Sequence, residues 1–530
     1  MKNKDKANVA IRKAREYVLE GGEQILSGRV DTAHSISPSP GAAALATLAL
    51  IGLGGQFEEQ IQLGAQWLRQ QRQLKGWGRF PGGDIDTEVT RLIETVLIGS
   101  QPGIINKLFL LSQAEDLSKM VLCLGEQAIP GLEGPEPDEI HLPKVLNEKV
   151  LQKLPTYGRP VVVAASLLAA KDMNQDGVAE AVEYLSKTQI SDGSWSEDIV
   201  TTSLAIIALI RAQKESERTI KAGRWLVSKQ YKNGAWAAFD QLHIWSIGWA
   251  ITVLKEFPTT LEEDEWLKQA AQWLKAARNS DGSYGTTPPF THPDLDDTSI
   301  ALMGLQRFPE IDINPTVDLL LCLQNPDGSW GTFPSFDGVP PNIISTFPVY
   351  IKSPDVTVHV LAALQAQPTK SRQLAIKKGV EWLLERQLLT GEFPGVWFEG
   401  EIFGTAQTLE LFSNLKFGQQ DRLLAKKISN AQKKAVKFLL SRQNSDGSWG
   451  SSLIETALVL PGLIDYKGEE KVPEDIISKG IKRILKWQQP DGSFDPCYQG
   501  IYAKGWNYEE PITSALTALR ALEKYKLLHD

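Results

Sequence analysis

The chain has 530 residues, 42% hydrophobic and 23% charged, a balance that supports large folded cores and excludes extended disorder. Its formal net charge of −8, from 56 basic and 64 acidic residues, gives no electrostatic footprint for a nucleic-acid partner. The three cysteines, Cys123, Cys322 and Cys497, stand apart and outside any CxxC, which argues against a disulfide framework or zinc cluster and for a reducing, cytoplasmic setting.

From the N-terminus, Ala7 to Gly21 reads as an amphipathic helix, without the unbroken apolar core of a signal peptide. The longest apolar run, Gly41 to Gly55, is shorter than the roughly 20 residues that span a bilayer, so it predicts a buried helix. A recurring phrase begins loosely at Gln73–Trp77. It becomes clear at Gln189–Trp195 (QISDGSW), Gln324–Trp330 (QNPDGSW) and Gln443–Trp449 (QNSDGSW). Near copies stand at Gln230–Trp236, Arg278–Tyr284, Gln387–Phe393 and Gln488–Phe494. From Trp195 onward the closing aromatics fall about 41 to 63 residues apart, the range of helix-pair units. Within each unit a helix comes first, such as Gln432–Gln443. Asp-Gly then supplies the turn, the aromatic packs on helix ends, and a second helix follows, such as one beginning at Ile454. Strand patterns are scarce, so the chain is predicted to be all-α, its paired helices either closing into rings or stacking as an open solenoid.

Two polar segments interrupt this pattern. Asp294, Asp296 and Asp297 follow a proline and precede the apolar Ile300–Leu305, which fits an acidic helix start as well as a catalytic cluster. Further on, Asp355 and His359 are four residues apart, so on a helix they share a face, and the carboxylate favours a charged imidazole.

The repeats resemble the QW motifs of the squalene–hopene and class II terpene cyclase superfamily. Asp294-Leu-Asp-Asp-Thr298 resembles its DxDD motif, whose central aspartate is the Brønsted acid. The resemblance runs from Trp77 to Phe494. It implies two α/α-barrel domains, β from residues 1–29 plus 221–530 and an inserted γ from 30–220. It also implies that Asp296 is the acid, with Asp294 and Asp297 as partners, and that His359, supported by Asp355, donates a hydrogen bond to it. Alkene protonation needs a neutral carboxylic acid in a dry site, which burial and neighbouring carboxylates provide. Aromatic faces would then stabilise the carbocation, each by up to about 2 kcal/mol. Trp245, Trp397, Phe403 and Tyr157 resemble lining positions of the family, and the C-terminal segment with Trp506 is similar to that of bacterial diterpene cyclases.

Lys153, in a KLPT stretch like the diphosphate-binding KVPT segment, and Arg159 are the implied diphosphate cations. The implied activity is protonation-initiated cyclisation of a linear prenyl diphosphate, C20 or C15, with the diphosphate retained, because no DDxxD motif is evident. A squalene-type triterpene cyclase and a non-catalytic helical-toroid binding module stand as alternatives. Asp84, Asp86 and Glu88 could present oxygens to a diphosphate-bound Mg²⁺ and equally fit a helix start, so no metal site is claimed. Peripheral membrane contact suits greasy substrates, although no amphipathic segment marks it, and the oligomeric state is left open.

Overall fold

A computed structural model describes residues 3–28, 34–100, 146–151, 158–170, 172–214, 216–237, 242–288, 293–333, 352–366, 369–395, 397–398, 400–415, 421–450, 452–468, 471–498, 500–503 and 506–529. In chain order the helices are α1 (Asn3–Leu26), α2 (Pro40–Leu53), α3 (Glu58–Gln70), α4 (Thr87–Gly99), α5 (Glu148–Leu151), α6 (Gly158–Ala169), α7 (Val178–Thr188), α8 (Ile199–Arg211) and α9 (Glu217–Ser228). Then come α10 (His243–Leu254), α11 (Leu261–Ala276), α12 (Leu295–Leu305), α13 (Asn314–Cys322), α14 (Pro354–Leu364) and α15 (Lys370–Leu384). The last are α16 (Glu401–Asn414), α17 (Arg422–Ser441), α18 (Leu453–Asp465), α19 (Glu474–Trp487) and α20 (Pro511–His529). A short antiparallel hairpin, β1 (Gly500–Ala503) and β2 (Trp506–Tyr508), precedes α20.

The repeated phrase explains how pairs join. At Gln443–Trp449, Asp446 Oδ1 accepts from Ser448 N at 3.0 Å and Ser448 Oγ at 2.6 Å, fixing a tight turn. Gly447 sits at φ 94°, and a Cβ there would meet Lys479 O at 2.5 Å, so the left-handed turn also lets α19 approach. Gln443 Nε2 donates to Gly447 O at 3.1 Å and across to Ile476 O at 2.9 Å. Buried Trp449 donates Nε1–H to Leu439 O of α17 at 2.7 Å, and its backbone N–H bonds Thr456 Oγ1 of α18 at 3.0 Å. One phrase thus fastens three helices.

These fastenings close rings. Helices α10, α12, α14, α16, α18 and α20 each contact the next, and α20 returns to α10. They are buried nearly all round, as the inner layer of an α/α barrel must be. Outside them lie α1, α11, α13, α15, α17 and α19. The last phrase completes the circle through the N-terminal helix: Gln488 Nε2 donates to Ala10 O at 2.9 Å, and Lys13 Nζ to Pro490 O at 2.7 Å. In the smaller barrel, α2, α6 and α8 pack together, and Gln230 Nε2 reaches Gln60 O at 2.9 Å, back to α3. Closure of the larger ring overturns the open-solenoid alternative there.

The larger core runs from Ala10 to Ile25 and from Ile244 to Tyr525, the smaller from Ala42 to Trp236. The expected junction at 220/221 therefore needs correction. It falls inside α9, whose Trp225 and Leu226, with Trp236 beyond, pack in the smaller core. The phrase at 230–236 belongs to the ring that it closes. The two barrels meet where Ser37 Oγ donates to Glu509 Oε2 at 2.8 Å and Phe80 stacks on Tyr498 at 4.9 Å.

Candidate active site

The acidic segment is first of all a helix start. Asp294, the N-cap of α12, accepts from Asp296 N at 2.8 Å and Asp297 N at 3.2 Å. This cap leaves the next two carboxyls projecting from the first turn. Asp294 and Asp297 are 5% and 4% exposed. Burial pushes both carboxyls well above the ordinary aspartate range, and charge repulsion within the trio adds to it. Asp297 shares a hydrogen bond with Asp294, and two carboxyls can do so only if one carries a proton. The nearby backbone N–H of Trp245 opposes that rise in Asp297, whose Oδ1 is buried without a partner among the described residues.

Asp296 keeps 15% of its side-chain surface exposed and places Oδ1 2.6 Å from His359 Nδ1. His359 projects from α14 as predicted. Burial disfavours its charged form, but Asp296, then Asp355 and Gln407, outweigh that, and the net shift is upward. The other ring nitrogen, Nε2, lies 2.7 Å from Gln407 Nε2 of α16, and Trp245 meets the imidazole edge-on at 5.3 Å.

Asp355 acts on the imidazole through its charge, and two of its hydrogen bonds do another task. Ser353 Oγ donates to its Oδ1, and its Oδ2 accepts from Trp397 N at 2.9 Å. Trp397 in turn donates Nε1–H to Thr332 Oγ1 at 2.7 Å, and Thr332 O accepts from Leu295 N at 2.6 Å. A continuous set of bonds therefore ties the Trp397 loop to the start of the acid helix. Gln407 and Thr332 had no motif to announce them; only the register of α16 and the loop after Trp330 bring them here. Tyr508 was likewise passed over: buried among Asp294, Asp296, Asp297 and Glu510, its phenol is pushed upward, first by burial and then by those carboxylates.

A cavity of about 700 Å³ fills the lumen of the larger barrel. Trp245, Trp249, Ile300, Met303, His359 and Phe403 contribute to its wall, with Phe398 stacked on Phe403 at 3.7 Å. The predicted lining set divides: Trp245 and Phe403 face this lumen, whereas Trp397 is not part of its wall; the predicted acid, Asp296, reaches it through His359, which is. Trp506 opens β2, but its side chain, like all of Lys153 and Tyr157, lies outside the described residues. Arg159 starts α6 in the smaller barrel, where its charge acts on Tyr184. Of the Asp84–Asp86–Glu88 set, Asp86 has structural partners of its own. Asp86 caps α4 through Oδ1, at 2.9 Å from Glu88 N, and pairs with Arg79 through Oδ2 at 2.8 Å, so both oxygens are committed.

Residues 289–456 match the squalene-hopene cyclase C-terminal domain, and residues 159–237 the prenyltransferase alpha-alpha toroid domain. Through these two domains the chain is similar to the class II terpene cyclases. It is 24% identical over 263 residues to a drimenyl diphosphate synthase of Streptomyces showdoensis, covering 48% of this chain and 45% of that one. It is 26% identical over 244 residues to a probable squalene–hopene cyclase of Sinorhizobium fredii, covering 39% and 34%. The matched stretches thus span less than half of these relatives' lengths. In fold, an ent-copalyl diphosphate synthase from Streptomyces platensis superposes with a TM-score of 0.60 at 17% identity, over 96% of this chain and 99% of that one. The stretch matching the squalene-hopene cyclase domain contains Asp294, Asp296, Asp297, Asp355, His359, Trp397, Phe403 and Gln407.

Proposed function

We propose that this protein cyclises a linear prenyl diphosphate, of C20 or C15 length, by protonating its terminal alkene and leaving the diphosphate in place. The observation that carries this reading is the 2.6 Å contact between Asp296 and His359 beside two buried carboxyls with no Lys or Arg ion pair among the described residues. In this scheme Asp296 gives its proton to the terminal alkene carbon. The neighbouring π bonds then close the rings, each supplying the electron pair of one new C–C bond. The cascade ends when a base takes a proton or water adds. His359 Nδ1–H stabilises the carboxylate left on Asp296, an electrostatic role aimed at the charge that develops. Trp245, and across the lumen Phe403, offer ring faces to a cation without a nucleophile that could trap it. Lys153 and Arg159 would hold the diphosphate. No step is assigned to a bound metal.

The drimenyl diphosphate synthase and ent-copalyl diphosphate synthase likenesses support a diphosphate substrate. The squalene-hopene cyclase domain match favours squalene as the second reading. Incubation with geranylgeranyl and farnesyl diphosphates, dephosphorylation and GC–MS tests the first; squalene in detergent tests the second. A cyclic alcohol from either diphosphate is the expected result. Recovery of linear alcohols alone, with cyclised squalene, would replace the first reading by the second.

A further inference from the structure

We propose that Gln407 is a positioning residue that fixes the tautomer of His359 and accommodates both of its protonation states by turning its side-chain amide. The inference deepens the function proposed above and rests on it for its catalytic meaning. It starts from two contacts on one ring. His359 Nδ1 faces the Asp296 carboxyl at 2.6 Å, and Nε2 faces the nitrogen of the Gln407 amide at 2.7 Å. An amide NH₂ only donates, so the Nε2 opposite it must carry a lone pair. The hydrogen of a neutral imidazole then resides on Nδ1, aimed at Asp296. That is the tautomer which stabilises a carboxylate appearing on the acid.

The same contact has an unfinished side. Gln407 Oε1 is buried and has no hydrogen-bond partner among the described residues. Turning the amide by half a revolution exchanges oxygen and nitrogen at almost unchanged shape. Oε1 would then face Nε2 and accept its hydrogen when the ring is an imidazolium. Asp296 decides between the two arrangements. While Asp296 holds its proton, the neutral ring with Gln407 as donor is satisfied; once the proton has gone to the substrate, the new negative charge favours an imidazolium, with Gln407 as acceptor. The other groups facing the ring are Asp355 from its own helix and the edge of Trp245 from α10. Glu410, one turn beyond Gln407, and Glu256 on the lumen wall are held by Arg520, so neither competes for Nε2. Leucine in place of Gln407 would fill the volume and serve neither state.

The test is a titration read on nitrogen. Protein labelled with ¹⁵N-histidine, assigned with a His359→Gln variant, is compared with Gln407→Leu and Gln407→Glu, the latter nearly isosteric. In the unsubstituted protein Nε2 is expected to titrate while Nδ1 stays protonated. Gln407→Leu should lower the midpoint by about one pH unit, because the charged ring loses the stronger hydrogen bond, and Gln407→Glu should raise it. The pH–rate profile of cyclisation should move the same way, with kcat falling about tenfold or more in Gln407→Leu and KM changing less than about twofold. An unmoved midpoint in folded Gln407→Leu, or titration at Nδ1, overturns the proposal. Nitrogen shifts that answer to Gln407 in a protein that cyclises nothing would keep the hydrogen-bond assignment and reject the reaction.

Discussion

The larger barrel carries two triads of carboxylates at opposite ends of its inner helices, and they have opposite fates. Asp294, Asp296 and Asp297 stand at the start of α12; Glu256, Glu410 and Asp465 stand toward the far ends of α10, α16 and α18. The far triad is answered by cations from α20. Arg520 Nε binds Glu256 Oε2 at 2.6 Å and also pairs with Glu410, while Lys524 reaches Glu256 at 3.3 Å and pairs with Asp465. Burial alone would raise the Glu256 carboxyl, but Arg520 and Lys524 hold it below the usual range. At the Asp trio, among the described residues, the same burial meets a histidine and further carboxyls, and Asp294 and Asp297 rise. Burial is common to both ends. The sign of the partner decides whether a buried carboxyl becomes a strut or a store for a proton.

The sharpest way to break this contrast is to neutralise one member at each end. Asp296→Asn should lower cyclisation by about 10²–10⁴-fold, the worth of a positioned general acid, while leaving the melting temperature nearly unchanged. GC–MS product rates beside a thermal melt check both halves, and undiminished turnover would remove the acid assignment. At the far end the effect should fall on stability. Arg520→Met leaves the half-buried Glu256 and Glu410 with Lys524 as their cation among the described residues, at a cost of up to about 3–5 kcal/mol in denaturant unfolding. A loss below about 1 kcal/mol would mean that water, and not Arg520, satisfies those carboxylates.

The two triads also differ in how far the sequence revealed them. Asp294, Asp296 and Asp297 form one contiguous motif, and the capping that organises them is local, so spacing alone placed them at a helix start. His359 was legible through its register with Asp355, although Asp355 spends its hydrogen bonds on Ser353 and the Trp397 loop. The Arg520–Glu256 pair joins residues 264 positions apart, and no periodicity announces it. It exists only because the ring closes. Gln407 shares that property: it belongs to the site through the packing of α16 on α14. The junction was misplaced for a related reason. The phrase at 230–236 looks like the start of the larger barrel's repeats, yet its contacts run back to α3.

Opposite shifts predict opposite pH behaviour. Asp294 is pushed up to about 8 by burial and by Asp296, from ~3.9 in an unfolded chain. Its contribution to stability is therefore complete below the unfolded value and is lost as pH rises toward 8. Glu256 is lowered, so its contribution is present above ~4.3 and is lost as pH falls through its folded value. Asparagine still caps a helix, so Asp294→Asn should keep α12 while removing up to about 1.4 kcal/mol per pH unit of the decline between pH 5 and 8. Unfolding free energies across that range give the slope directly. An unchanged slope would mean that Asp294 is ionised in the folded protein, and the trio would then resemble its counterpart more than its environment implies.

The smallest effect is expected where both ends share the same fastening. Gln443 donates to Gly447 O and Ile476 O, two hydrogen bonds joining the turn after α17 to α19, and it touches neither triad. Gln443→Ala leaves Trp449 in place with its own bonds to Leu439 and Thr456, so the turn should persist. Its cost is the net worth of two neutral hydrogen bonds to partly buried carbonyls, about 1–2 kcal/mol. Hydrogen exchange should quicken in α19 first, because the lost bond to Ile476 was its tie to the preceding turn, while cyclisation stays within about twofold. If the exchange instead quickens equally in α10 and α12, on the far side of the ring, the barrel responds as one cooperative unit. The separate behaviour of its two triads would then have to come from electrostatics alone, without any help from local rigidity.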